Sequence, residues 1–414
     1  MVILLLRFQK RSKDGGFDKV NSKPDKKTTI VFISLYTELG GGEYAIYNLL
    51  KALDRSKYKP IMMFNKRGPF VEKVESLGIE TVILQYKTVM LKKLINPIIL
   101  WDTLKTSKQM YRFLKERDVD IIHCFDVLSL IYIARSVLKL RIPVVYNVIF
   151  FYEWTRLLLL NISAIFFIRK ILTDSQAVRN DLVSRTLFLS NKIVQIYKAV
   201  DASVFRSRND KNVNKFRKEL EVTTNTKLIG MVARFDTWKG HKTFLEAASI
   251  MLSKRNDLKF VVVGGLLNVD VVPTLKDYYN EVMQYRRDLG LEDKVIFLSH
   301  RDDIPEVLCG LDVFVCPSFR EPIPGVILEA MASNVPIVAS DSGGNVEQIT
   351  HGKDGFLFRT GDAFALVESI ESCLESPDLI SKLTAEARKR VENQFGLSRY
   401  GEEMSDLYQK VLLK

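Results

Sequence analysis

One arrangement recurs along this 414-residue sequence: a short run of β-branched or apolar residues, a turn, then a stretch with helical spacing. It opens with Thr29-Ile30-Val31-Phe32-Ile33-Ser34, continues through Gly40-Gly41-Gly42-Glu43, and passes into an apolar-periodic segment at 44–53. A short β-branched run bounded by turn residues reads as a buried strand. Strand, glycine loop, helix is the opening of a doubly wound α/β domain. Strands expected at 60–64, 81–84, 121–124 and 144–148 alternate with helices near 70–77 and 99–116. The pattern restarts with strands at 227–232, 260–263, 295–298, 313–316 and 336–339 and a helix at 243–252. Such alternation implies parallel sheets with helices on both faces. Two sets predict two Rossmann-like domains, at 28–200 and 201–395. Residues 1–27 read as a flexible basic leader, and 396–414 as a final helix packing back on the first domain.

Charge divides along the same line. Residues 1–200 carry 33 Lys and Arg against 17 Asp and Glu (+16), and the rest carry 28 against 32 (−4), giving the net +12. The halves are therefore expected to meet different partners. The four cysteines (Cys124, Cys309, Cys316 and Cys373) form no C-x-x-C pair, so a disulfide framework is excluded and a reducing cytoplasm is expected. The longest uncharged apolar run, 157–168, is too short to span a bilayer as a helix, and the start of the chain lacks the form of a signal peptide. Four His and four Cys show no metal-ligand spacing.

Three segments carry candidate chemistry. Gly40-Gly41-Gly42-Glu43 sits at a strand-to-helix turn, where glycines admit close backbone approach and the helix start favours anions. It is not G-x-G-x-x-G, which argues against a nicotinamide enzyme, and a plain tight turn is the alternative. Arg234 and Lys239, five residues apart after a strand, suit two adjacent phosphates, or are simply solvated cations. The sharpest segment is Ser318-Phe319-Arg320-Glu321-Pro322-Ile323-Pro324-Gly325-Val326-Ile327-Leu328-Glu329-Ala330-Met331-Ala332. Two carboxylates there frame a turn and can accept hydrogen bonds from sugar hydroxyls. The backbone N–H groups between them can hold a phosphate. Alternatively Glu329 only complements the helix dipole and Glu321 is solvated.

The spacing Glu321-x7-Glu329 within S-x-x-E-P…G…L-E-A-M-A resembles the signature of the family 4 retaining glycosyltransferases of GT-B fold. Four further pieces fit in order: Gly40 to Glu43, Arg234…Lys239-Gly240, the loop 299–305, and Asp341-Ser342-Gly343-Gly344-Asn345-Val346-Glu347-Gln348-Ile349. Each is weak alone; five in order, over residues 30–400, are specific. The resemblance implies two Rossmann-like domains facing a central cleft. It implies that Arg234 and Lys239 neutralise a departing donor diphosphate in place of a metal, so no cofactor is expected. It places Glu329 on the ribose hydroxyls and Glu321 on the transferred sugar. Gly41, Gly42, Arg301, Gly325, Val326 and Ile327 are implied on the donor side. Transfer is implied to retain anomeric configuration.

This chain also departs from the family. Phe125 stands where a second His is common, so an acceptor role falls to His123 or Asp126, although His123 reads more readily as a core histidine. Pro324 replaces a common Gly, removing an amide donor. Lys198-Ala199-Val200-Asp201 replaces N-G-V-D, which alters the interdomain linker without obvious chemistry.

The amino half interleaves basic and apolar residues at 65–67, 86–95 and 150–160, a surface suited to an anionic membrane and a lipid-linked acceptor. The reading is thus a transferase moving sugar from a UDP- or GDP-sugar to a glycolipid or polysaccharide such as lipopolysaccharide. Its expected place is the cytoplasm, peripheral at the inner face of the membrane. A sugar-nucleotide epimerase of the same architecture is one alternative. A non-catalytic two-lobed protein binding phosphorylated ligands is another. No nucleic-acid module accompanies the basic charge.

Overall fold

The computed structural model describes residues 26–85, 97–186, 189–205, 210–265 and 274–413. Most of the leader at 1–27, and the basic stretch at 86–95, lie outside the described residues.

The first sheet has seven strands in the order β3-β2-β1-β4-β5-β6-β7, all parallel. They are β1 (Thr28–Ile33), β2 (Tyr58–Phe64), β3 (Glu80–Ile83), β4 (Ile121–Cys124), β5 (Val144–Val148), β6 (Ile168–Thr173) and β7 (Ile193–Gln195). The second has six, in the order β10-β9-β8-β11-β12-β13, again parallel. They are β8 (Lys227–Val232), β9 (Leu258–Val263), β10 (Val295–Leu298), β11 (Val313–Cys316), β12 (Ile337–Ser340) and β13 (Phe356–Phe358). In each sheet the chain starts at the centre and winds outward both ways, so a crevice opens beside the first strand.

Both faces of each sheet are covered, which is why the strands read as unbroken apolar runs. Along β1, Val31 and Ile33 enter one core and Ile30 and Phe32 the other. In the second sheet, Leu228 and Ile229 divide in the same way.

Four helices matter most for the site: α1 (Gly41–Ala52), α6 (Gln176–Arg185), α8 (His241–Leu252) and α11 (Gly325–Ala332), of which α1 and α11 begin at a glycine. Helix α1 buries Ile46, Leu49 and Leu50, the i, i+3, i+4 stripe expected of a helix lying on a sheet. The last helix, α15 (Leu397–Leu412), buries Tyr400, Met404, Leu407, Tyr408 and Val411 in the first domain's core. Gly401 meets α1 closely: a side-chain carbon there would lie 2.4 Å from Ala52 O.

Three strands escape the sequence pattern. Strand β6 carries Arg169 and Lys170, leaving too short an apolar run to stand out, and β7 and β13 have only three residues each. The apolar run 157–168 is mainly helix α5 (Trp154–Phe166). No described helix is long and apolar enough to cross a membrane.

Candidate active site

The loops at the carboxyl ends of both sheets face each other, and direct contacts join them. Glu347 accepts hydrogen bonds from Gln176 N and Ala177 N of the first domain, both at 2.7 Å. Arg320 lies 4.0 Å over the Phe151 ring and 3.3 Å from Asp181. Helix α11 approaches α1 across the same gap.

The second-domain wall is three loops locked together by glycine. After β8 the chain runs through Arg234 to Gly240, whose φ of +78° is left-handed. A side-chain carbon on Gly240 would stand 2.0 Å from Pro317 O, so only glycine lets this loop reach the one after β11. Phe319 N donates to Trp238 O at 2.7 Å, completing that join. Gly343 and Gly344 do the same for the third loop: their side-chain carbons would meet Glu321 O at 2.1 Å and Pro322 O at 2.0 Å. Gly344 N donates to Glu321 O at 2.8 Å. The Gly-Gly-x-x-Glu turn therefore sets where the Glu321 loop sits, and its Glu347 bridges to the other domain.

Within this frame Lys239 Nζ lies 2.7 Å from Glu321 Oε2, with both side chains largely buried. Charged hydrogen bonds of this kind are short and directional. Arg234 pairs at 2.8 Å with Asp236, a carboxylate that is almost fully buried. Arg234 also acts electrostatically on Glu43 and Tyr36 of the first domain, so it faces the cleft.

Helix α11 buries Ile327, Leu328, Ala330, Met331 and Ala332, and Glu329 is its single charge. Burial raises the Glu329 carboxyl to about 7, and the charge of Lys198 partly offsets this. Among the described residues Glu329 makes no side-chain hydrogen bond or ion pair. Pro324 precedes α11 without a side-chain cap, so the first-turn N–H groups of Gly325, Val326 and Ile327 are unclaimed by any side chain among the described residues. Gly40 likewise leaves α1 without a side-chain cap. Helix α6 differs: Ser175 caps Val178 N, and Glu347 takes two more of its amides. Its start is filled by the protein itself.

Other expected site residues are placed differently. Gly41 and Gly42 are uncrowded: a side-chain carbon on Gly41 meets nothing within 4 Å, and one on Gly42 only Ile149 at 3.5 Å. Arg301 is already engaged with Glu219 and Asp303 and lies over the Phe216 ring at 5.3 Å. Its guanidinium is thus drawn to its own domain's carboxylates rather than left open to a nucleobase. Its neighbour Asp302 acts with Glu329 on Tyr44 of α1.

His123 does not line an open surface. It is fully buried, its Nδ1 lies 2.8 Å from Tyr408 Oη, and it stacks on Phe125 with ring centroids 4.6 Å apart. Burial lowers its pKa to about 3, so it is a neutral core histidine. Asp126 is buried too, and it accepts from Ser129 N at 2.8 Å and Ser129 Oγ at 2.6 Å. Burial raises its carboxyl to about 6 against these bonds. It holds the start of helix α4 (Ser129–Leu140).

One residue was missed. Lys198, in the linker, acts electrostatically on Asp174, Glu321 and Glu329. The departure from N-G-V-D was the available signal, but which way the side chain points is decided by contacts distant in sequence. No group of three or more His, Cys, Asp or Glu able to hold a metal occurs among the described residues.

Comparison with known proteins covers both halves. The profile described as Glycosyltransferase Family 4 matches residues 39–204, and that of Glycosyl transferases group 1 matches 212–390. The chain is 27% identical over 265 residues to the capsular polysaccharide biosynthesis glycosyltransferase CapM of Staphylococcus aureus, covering 63% of this chain and 67% of CapM. It is 28% identical to spore coat protein SA of Bacillus subtilis, covering 59% of this chain and 65% of that protein. It is 23% identical to the UDP-Gal:alpha-D-GlcNAc-diphosphoundecaprenol alpha-1,3-galactosyltransferase of Escherichia coli, covering 92% and 97%. Among solved structures, Anabaena Alr3699/HepE in complex with UDP and glucose superposes with a TM-score of 0.80 at 22% identity, over 92% of this chain and all of that one. That likeness shows the fold. Two consecutive family profiles, two parallel doubly wound domains and the locked cleft loops lead to one assignment: the chain belongs to the family 4 glycosyltransferases of GT-B fold.

Proposed function

We propose that this protein is a retaining glycosyltransferase that moves a sugar from a UDP- or GDP-sugar to a lipid-linked or polysaccharide acceptor, without a metal. The observation that carries the reading is the Lys239–Glu321 pair, at 2.7 Å on the glycine-locked loops, together with the carboxylate of Glu329, unpaired among the described residues.

The donor diphosphate lies against Arg234, Lys239 and the amides of Gly325 to Ile327. Its two ends are read by Glu329, on the ribose, and Glu321, on the sugar. As the bond from the anomeric carbon to the diphosphate oxygen breaks, charge grows on that oxygen, and preorganised cations stabilise it most at that moment. An acceptor hydroxyl oxygen bonds the same carbon from the same face. Its proton passes to the departing diphosphate, and the pair Arg234 and Lys239 holds the product.

A UDP donor is supported by the UDP complexes of Anabaena Alr3699/HepE and by the name of the Escherichia coli relative, each true of that protein. A lipid-linked acceptor at the inner face of the membrane is supported by helix α5. Trp154, Leu158 and Ile165 are 74%, 62% and 70% exposed along one face of it, with exposed Arg156 and Arg169 nearby. Cosedimentation with anionic vesicles at low salt tests this, and no pelleting at any salt rules it out.

The direct test is protein-dependent turnover and thermal shift with UDP-, GDP- and ADP-sugars, with and without EDTA. Binding and turnover unaffected by EDTA are expected. Failure of every sugar nucleotide to bind sinks the reading. Loss of turnover in EDTA sinks its metal-free part.

A further inference from the structure

The linker between the sheets is held from several sides. Asn48 Nδ2 donates to Ala199 O at 2.9 Å, Val200 N donates to Phe395 O at 2.9 Å, and Asp201 pairs with Lys51. These contacts fix the backbone on the carboxyl side of Lys198 and so limit where its side chain can go.

That side chain goes into the candidate site. A side-chain carbon built on Gly325, the first residue of α11, would lie 3.8 Å from Lys198 Nζ and 3.7 Å from Glu329 Oε1. The ammonium therefore stands over the uncapped start of α11. Asp174, almost fully buried, acts on it from the first domain, and Asp174 Oδ1 has no hydrogen-bond partner among the described residues. Yet Lys198 makes no ion pair within 4.0 Å among the described residues.

Burying an ammonium is costly unless a partner compensates it. A lysine serving only to neutralise would close on one carboxylate, as Lys239 does on Glu321. Lys198 is instead held near several, at a helix start whose amides and dipole favour an anion. We propose that Lys198 is a third cation for the nucleotide diphosphate, donating to a phosphate oxygen at the start of α11 alongside Arg234 and Lys239. This rests on the donor site proposed above.

The test uses the full chain, with Lys198→Ala, Lys198→Met (which keeps the alkyl stem) and Lys198→Arg. Calorimetry measures UDP, GDP and the bare nucleosides. For whichever diphosphate the wild type binds, Lys198→Ala and Lys198→Met are expected to weaken affinity tenfold or more. Nucleoside affinity moves less than twofold, and Lys198→Arg stays within about threefold of wild type on the diphosphate. Diphosphate affinity unchanged in the Ala and Met variants overturns the inference while leaving the donor site standing. Equal losses on nucleoside and diphosphate overturn it in favour of a purely structural lysine. A wild type that binds neither diphosphate overturns the donor site and this inference together.

Discussion

The two walls of the cleft use glycine for opposite purposes. In the second domain, Gly240, Gly343 and Gly344 are jammed: a side-chain carbon would come within 2.0–2.1 Å of a neighbouring carbonyl oxygen. In the first domain, Gly41 has nothing within 4 Å. One wall is glycine-rich because its loops press on one another; the other keeps space in front of a helix start. A rigid wall suits a donor of fixed shape. An open one suits the approach of a second molecule.

The largest effect should come from removing a cation from the rigid wall. On the proposed mechanism Lys239→Ala takes away leaving-group stabilisation, and it strands Glu321, so steady-state kinetics should show kcat down about 10²–10³-fold. A fall under threefold would remove Lys239 from the chemistry. Next is the locking itself. Gly240→Ala demands both a left-handed alanine and a displaced Pro317, and urea unfolding should show a loss of about 2–4 kcal/mol. Unchanged stability would mean the loops are not locked.

Glu329 supplies a pH test. Its carboxyl is raised to about 7 in the folded chain from an ordinary 4.5, so the folded state holds this proton more tightly than the unfolded one. Its contribution to stability is complete below about 4.5 and is lost as pH rises through about 7, on the order of 3 kcal/mol in all. Subtracting the unfolding profile of Glu329→Gln from that of wild type should isolate this slope. A flat difference between pH 4.5 and 7.5 would refute it. Glu329→Ala should also raise the donor KM strongly, and an unchanged KM would remove the ribose contact.

The smallest effect belongs to the open wall. Gly41→Ala should shift stability by no more than about 0.5–1 kcal/mol, because nothing is displaced. If the space is for substrate, KM should still rise. A stability loss as large as that of Gly240→Ala would erase the contrast between the walls.

Legibility from sequence followed the range of the forces involved. Strands β1, β4, β5 and β8 were readable because burial on both faces makes them continuous apolar runs. Glu321, Lys239 and Glu329 were readable because each sits at a strand or helix end within one motif. Lys198 was not, since its direction depends on Asn48 and Phe395, far away in the chain. His123 was readable only as a choice of roles, settled by Tyr408, 285 residues later. Of Arg301's two partners, Asp303 lies two residues on but Glu219 lies 82 residues earlier, so a local pattern could show only half of how its guanidinium is engaged.

That late partner of His123 bears on synthesis. Helix α15 supplies Tyr400, Met404, Leu407, Tyr408 and Val411 to the core around β1 and β2, whose own residues are made hundreds of positions earlier. On a ribosome adding about 5–20 residues per second, the first sheet waits on the order of 10–40 s after β7 for the helix that closes it. During that interval the part of its apolar face that α15 covers is open, although α1 already packs on the same face, while the second domain, lying between, can fold first. The last part of the first domain to be made is also its lid, so a ribosome stalled shortly before Leu397 would hold an unfinished first domain tethered to a nearly finished second one.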